Sequence, residues 1–121
     1  MPKQSKKTNP RLNNLIQDLK KLSAEQDVSI WKDIALRLEK PLRNWPVVNL
    51  NKIDRYINEN EIALIPGKVL SSGKLTKRVT IAAWAFSDVS IDKIKKAGGK
   101  TITIEELIKK HPKGENIRIL G

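Results

Sequence analysis

GKVLSSGKLTKRVTIAAWAFSDVSIDKIKKAGG, residues 67–99, holds three kinds of sequence in succession. The first is a glycine-bearing loop carrying Lys68, Lys74, Lys77 and Arg78, with no acid between Glu61 and Asp88. The second is an apolar run, residues 79–86, too short for an average helix and β-branched at its start. It reads as a buried strand. The third begins at Ser87, whose hydroxyl suits a helix N-cap. Val89, Ile91, Ile94 and Ala97 are the expected inward positions of that helix, and Gly98 and Gly99 end it. A basic loop pinned to a buried strand and helix presents cations on a rigid support.

The same strand–cap–helix order recurs on both sides. Val47, Val48 and Asn49 lead to Leu50, Ile53 and Ile57; residues 100–103 lead to Ile104, Leu107 and Ile108. Further strands are expected at residues 62–65 and 117–120. Alternating strands and helices imply an α/β fold, here with irregular rather than fixed spacing.

Upstream, Asn9 and Pro10 form an N-cap and first-turn pair. Leu12, Leu15, Ile16, Leu19 and Leu22 make one helical stripe, with Arg11, Lys20 and Lys21 off it. Residues 24–28 read as a polar link. Ser29 is expected to cap a second helix with Ile30, Trp31, Ile34, Ala35 and Leu38 inward and an Asp33–Arg37 surface pair. Pro41 ends it. A link that long, with no third helix next, argues against a helix-turn-helix DNA reader. In residues 40–46, KPLRNWP, two prolines bracket Arg43 and Trp45, and the segment is expected to be extended and stiff. Trp45 either stacks on a base or covers the core edge, and both readings stand.

The 121 residues carry 24 Lys+Arg against 13 Asp+Glu, a formal net charge of +11. Self-repulsion of that size points to a polyanion partner, nucleic acid above all. Residues 1–9 contain Lys3, Lys6 and Lys7 and no acid. They are expected to be a basic arm, disordered when free and ordered on nucleic acid, ahead of a single globular domain over residues 10–121. No cysteine is present, and His111 is the single histidine, so thiolate chemistry is excluded and a metal site is not expected. No run approaches the roughly 20 apolar residues of a membrane span, and no signal peptide is recognisable. A cytoplasmic protein is expected.

No catalytic constellation emerges. The loop resembles a phosphate-binding P-loop only superficially. Five residues separate Gly67 from Gly73 instead of four, Leu75 replaces the magnesium-binding hydroxyl, and a strand rather than a helix comes next. The acids lie in caps, first turns and surface positions. Glu105 and Glu106 are placed to pair with Lys109 and Lys110 one turn on. No nucleophile has a base and an orienting group.

Several runs resemble the large-subunit ribosomal protein eighteen-e family, the archaeal and eukaryotic relative of bacterial large-subunit protein fifteen. They are K-V-L-S-S-G-K-L (68–75), F-S-x-x-x-x-x-K-I-x-x-A-G-G (86–99), N-P-R-L-x-x-L-I-x-x-L, W-K-D-I-A-x-R-L and R-N-W-P-V-V-N-L-x-K-I. Their order and spacing cover nearly the whole chain. Trp45 departs from the pattern, which has a basic or small polar residue before the proline. With no long basic C-terminal extension, the chain resembles the archaeal type. The resemblance implies an irregular strand–strand–helix superhelix, behind two N-terminal helices and the arm. It also implies a non-catalytic, cofactor-free constituent of the cytoplasmic large subunit. Its partners would be large-subunit rRNA and neighbouring ribosomal proteins, with no membrane and no small-molecule substrate. Candidate RNA-binding residues are Lys3, Lys6, Lys7, Arg11, Lys40, Arg43, Trp45, Lys68, Lys74, Lys77 and Arg78. The alternative is a free-standing nucleic-acid-binding or chromatin-associated basic protein.

Overall fold

The computed structural model describes residues 9–121, so the expectations for Lys3, Lys6 and Lys7 lie outside the described residues. Helices α1 (Pro10–Gln26) and α2 (Ser29–Leu38) come first, then a 3-10 turn, Leu42–Asn44. After them run β1 (Val47–Asn49), α3 (Leu50–Tyr56), β2 (Ile62–Leu70), β3 (Thr80–Phe86), α4 (Asp88–Lys96), β4 (Lys100–Thr103), α5 (Ile104–Lys110) and β5 (Ile117–Ile119). The strand–helix units join in one parallel sheet, the α/β arrangement expected. β2 is central: β3 and then β4 lie on one side. On its other edge, β5 pairs with its start, Ile62 opposite Ile117, and β1 with its end, Lys68 opposite Val47.

Both sheet faces are covered, which is why β2 and β3 are almost continuously apolar. Alternate residues divide between two cores. Leu64, Ala82 and Ile102 face Leu15 and Leu19 of α1, Trp31 and Leu38 of α2, and Leu107 of α5. Ala63, Ile65, Ile81 and Ala83 face Leu50 and Ile53 of α3 and Ile94 of α4. Asn9 caps α1 as expected, its Oδ1 accepting from the Leu12 amide at 3.2 Å.

Several local readings change. α1 runs on through residues 24–26, and Asp27 and Val28 alone link it to α2. Asp27 adopts φ 54°, a left-handed turn that reverses the chain in two residues. The link is thus short, and a helix-turn-helix is excluded on other grounds: a 3-10 turn and a strand come after α2, and α2 spends its apolar face on the sheet. Ser29 is the first helical residue rather than the cap. Val28 occupies that position without a side-chain bond, while Ser23 Oγ donates to the Val28 carbonyl at 2.7 Å. Residues 40–46 are not extended throughout, since the Leu42–Asn44 turn folds them and lets the Trp45 amide donate to the Leu42 carbonyl. Lys68 belongs to β2, not to a loop, because β2 continues past a register shift between Ile65 and Lys68.

α4 is rotated from its expected phase. Val89 and Ile91 are exposed, and Ser90 and Ile94 face inward. The N-terminal bonds set that phase: Ser87 Oγ accepts from the Ser90 amide, and Ser90 Oγ donates to the Ser87 carbonyl at 2.7 Å. A small, self-satisfied hydroxyl lets the helix approach β2 closely without an orphaned polar atom.

Candidate nucleic-acid interface

Residues 71–79 form the basic loop, and it is fastened on two sides. Towards α3, Asn49 Oδ1 accepts from the Ser72 amide at 3.2 Å, so Asn49 ties down the loop instead of capping the helix. The Asn51 amide donates to the Ser72 carbonyl, and the Asp54 carboxylate accepts from both the amide and the hydroxyl of Thr76, at 2.8 and 2.9 Å. Gly73 is required here. Its φ is +89°, and a Cβ would come within 2.3 Å of Asn51 Cβ. Towards α4, Lys93 Nζ donates to the carbonyls of Ser71 and Gly73 at 2.9 and 3.3 Å.

The neighbours Lys77 and Arg78 have opposite employment. Lys77 Nζ donates to the carbonyls of Asp54 and Ile57, both at 2.7 Å, satisfying two acceptors at the C-terminal end of α3. Two of its three N–H groups are committed inside the protein. The expectation that Lys77 reaches outward is thus corrected: α3 ends beneath it and supplies carbonyls that an ammonium satisfies. Arg78 is exposed and, among the described residues, has no hydrogen-bond or ion-pair partner. Its stem lies across Gly98, where a Cβ would sit 3.0 Å from Nε and φ is +85°. Gly98 therefore both ends α4 and leaves room for Arg78.

The cations that sequence reasoning missed stand beside it. Lys95 and Lys96 on α4 and Lys100 at the start of β4 are exposed. Lys96 pairs with Asp92 one turn back at 3.2 Å, a contact of little weight at that exposure. Lys95, Lys100 and Lys110 line one groove along the free edge of β4, which brings α4 and α5 together there. A second groove joins Lys74 and Thr76 of the loop to Lys93 and Lys96. The signal for these residues was the one-signed run at 93–100.

Elsewhere among the described residues, Arg11, Lys20, Arg37 and Arg118 pair with carboxylates. Arg11 Nε donates to Glu105 Oε2 at 2.7 Å and Nη2 to Glu105 Oε1 at 3.2 Å, and the guanidinium lies 3.8 Å from the Trp84 ring centroid. Burial pushes Glu105 up, but the Arg11 bond and charge with local backbone bonding outweigh it and hold the carboxyl below its ordinary value. Glu105 thus turns to Arg11, and Glu106 turns back to the Thr103 amide in a capping box. Hydrogen bonds from the Thr103 backbone and side chain hold Glu106 below its ordinary value. Their expected pairing with Lys109 and Lys110 is not made: each acid is nearer a partner on its own N-terminal side. Lys20 pairs with Glu39 at 2.7 Å and Arg37 with Asp33 at 3.1 Å, the latter as expected.

Lys40, Arg43 and Trp45 belong to the α1–α2 side of the molecule, and Trp45 packs in the core on the sheet face opposite α3 and α4. Trp45 is 9% exposed, and its Nε1 donates to the Lys40 carbonyl at 2.9 Å. Its ring meets that of Trp84 edge-on, with centroids 5.6 Å apart. Of the two readings left open for Trp45, the core-edge one describes its position. Among the described residues, no three His, Cys, Asp or Glu side chains are grouped to hold a metal, and no helix is long and apolar enough to cross a membrane.

A family model described as ribosomal protein 60S L18 and 50S L18e matches residues 1–121. The chain belongs to this family. It is 49% identical over 120 residues, 99% of each chain, to large ribosomal subunit protein eL18 of Methanospirillum hungatei. To the protein of that name from Methanoregula boonei it is 51% identical over 120 residues, again 99% of each chain. To that of Methanothermobacter thermautotrophicus it is 46% identical over 114 residues, 94% of each.

In this L18/L18e family member the excess charge is strongly localised. Residues 68–100 hold eight Lys and Arg against two Asp, while residues 10–39 hold five basic and five acidic side chains. A positive field therefore emanates from the loop, α4 and the β4 edge, carried by side chains whose backbones the sheet and α3 hold still.

Proposed function

We infer that the protein is a structural constituent of the large ribosomal subunit, acting in translation by holding large-subunit rRNA in its packed arrangement. Membership of a ribosomal protein family along the full chain carries the reading. Its role is structural rather than catalytic, and its place is the cytoplasmic ribosome, beside rRNA and other ribosomal proteins.

The RNA-facing side is the loop–α4–β4 surface. Lys74, Arg78, Lys95 and Lys100 lack acid partners among the described residues, so each is available to a phosphate. Double-stranded RNA hides its base edges in a deep, narrow groove, so backbone contacts of this kind dominate recognition there. Each neutralised phosphate releases counterions, and affinity falls with salt accordingly. Lys68, Lys40, Arg43 and the arm residues Lys3, Lys6 and Lys7 extend the contact, around a single domain over residues 10–121. Arg11 and Lys77 contribute charge while their donors stay largely within the protein.

Sedimentation tests this reading. The protein is expected to travel with large subunits, at fixed stoichiometry, through a high-salt wash. Release from the subunit together with retention on DNA would instead identify a chromatin-type protein.

A further inference from the structure

The start of α1, the Leu42–Asn44 turn and the end of β3 enclose a groove of about 590 Å³, within the size range of small-molecule sites. Leu12, Pro41, Leu42, Trp45 and Trp84 give it flat apolar walls, and Arg43 stands among them. We propose that this groove holds an unpaired base of the RNA that the protein binds. The proposal rests on the rRNA reading above and adds a single-stranded element to it.

The polar groups of the groove point to such a ligand. The indole N–H of Trp45 donates to the Lys40 carbonyl. That of Trp84 has no acceptor among the described residues, and no buried side-chain polar atom there lacks a partner, so this N–H reaches solvent. Arg43 has no acid partner among the described residues. Asn9 also lines the groove, and its Oδ1 is already engaged by the Leu12 amide, which leaves its NH₂ to donate. No carboxylate lines the groove. Flat walls with donors and no acids suit a ligand that is planar, rich in acceptors and tethered to negative charge. A nucleotide base is that ligand, with ring nitrogens and carbonyls for the donors and its phosphate for Arg43.

The walls are set before the ligand arrives. Arg11, itself held by Glu105, lies against Trp84, and Trp45 meets Trp84 edge-on, so little side-chain freedom remains to be lost. An apolar peptide would fill the walls but leave the donors unanswered.

The test compares the full chain with Leu42→Asp and Trp84→Leu at matched salt. The probes are an unstructured oligoadenylate and a fully paired RNA duplex with the same number of phosphates. Leu42 is 67% exposed, so Leu42→Asp leaves the fold intact while placing a carboxylate at the groove. Oligoadenylate is expected to quench tryptophan fluorescence in the parent chain. Both variants are expected to bind it about tenfold more weakly or worse, as when one stacked base is lost, with duplex affinity changed less than about twofold. Equal oligoadenylate affinity in the parent and Leu42→Asp overturns the groove proposal while duplex binding keeps the rRNA reading intact. Failure of the parent chain to bind either RNA overturns both. A photo-crosslinker at position 42 in assembled subunits is expected to join RNA; attachment to protein alone assigns the groove to a peptide and overturns the proposal.

Discussion

Residues 10–39 and residues 68–100 each hold ten charged side chains and use them in opposite ways. In the first, five cations meet five acids, and Arg11, Lys20 and Arg37 each have a carboxylate partner. In the second, eight cations meet two acids; Lys96 has an exposed pair with Asp92, while Lys77 and Lys93 bind backbone carbonyls. A carbonyl steadies an ammonium without cancelling its charge, whereas a carboxylate removes most of its distant field. The proposed interface is therefore placed by where acids are missing, not by where lysines are many.

The largest effect should come from breaking that asymmetry directly. Arg78→Ala, Lys95→Ala and Lys100→Ala together should weaken binding to a large-subunit rRNA fragment at least about tenfold. The slope of log affinity against log salt should shallow by roughly 2–3, near 0.7–0.9 for each lost contact. Lys20→Ala, Lys32→Ala and Arg37→Ala together remove the same formal charge and should change affinity far less. Equal losses from the two triple variants would mean that net charge alone governs binding.

Within the basic region the contrast between neighbours sharpens the account. Lys77→Met keeps the stem but removes the donors to Asp54 and Ile57. It should cost about 1–2 kcal/mol, since hydrogen bonds to charged groups are the stronger kind. Arg78→Ala should stay within about 0.5 kcal/mol, as exposed substitutions do. Thermal melts of the two variants measure this, and equal melting temperatures would show that Lys77 is not holding α3.

Acid pH probes the α5 carboxylates, one of which holds Arg11 of the balanced region. Glu105 and Glu106 are held below their ordinary value of 4.5 in the folded chain. The stability they contribute is present above that value and is lost as pH falls through their lower folded values. Melting temperature should therefore drop from pH 5 to pH 3, and Arg11→Gln should flatten the part of that drop owed to Glu105. An unchanged slope in Arg11→Gln would remove the Arg11–Glu105 pair from the account. The smallest effect is Asp33→Asn, which breaks an exposed pair and should cost under about 0.5 kcal/mol in a thermal melt.

These contrasts also mark what the sequence could tell. The α/β order was legible because apolar runs, caps and glycines recur along the chain, and the capped starts at Asn9 and Ser87 arise from local chemistry alone. Helix phase was less legible. Val89 and Ile91 look like core residues, but the Ser87–Ser90 bonds turn them outward, and a buried serine carries no hydrophobic signal. The fate of Lys77 was hidden, because its partners are carbonyls 20 and 23 residues away. From spacing, Glu105 pairs within its own helix, although its partner lies 94 residues upstream. Sequence spacing sees i,i+4 neighbours, so Asp33–Arg37 was readable and Arg11–Glu105 was not. The lysines at 95, 96 and 100 were visible as charge, but only the fold sets them beside Arg78 and the β4 edge.

Lysine acetylation in the free chain and in intact large subunits, read residue by residue by mass spectrometry, tests the central claim most directly. Lys74, Lys95 and Lys100 should react in the free chain and be shielded in the subunit. Lys20, Lys21 and Lys32 should keep most of their reactivity in both. Shielding of Lys20, Lys21 and Lys32 with Lys74, Lys95 and Lys100 left reactive would take the RNA off the loop–α4–β4 surface and contradict the account.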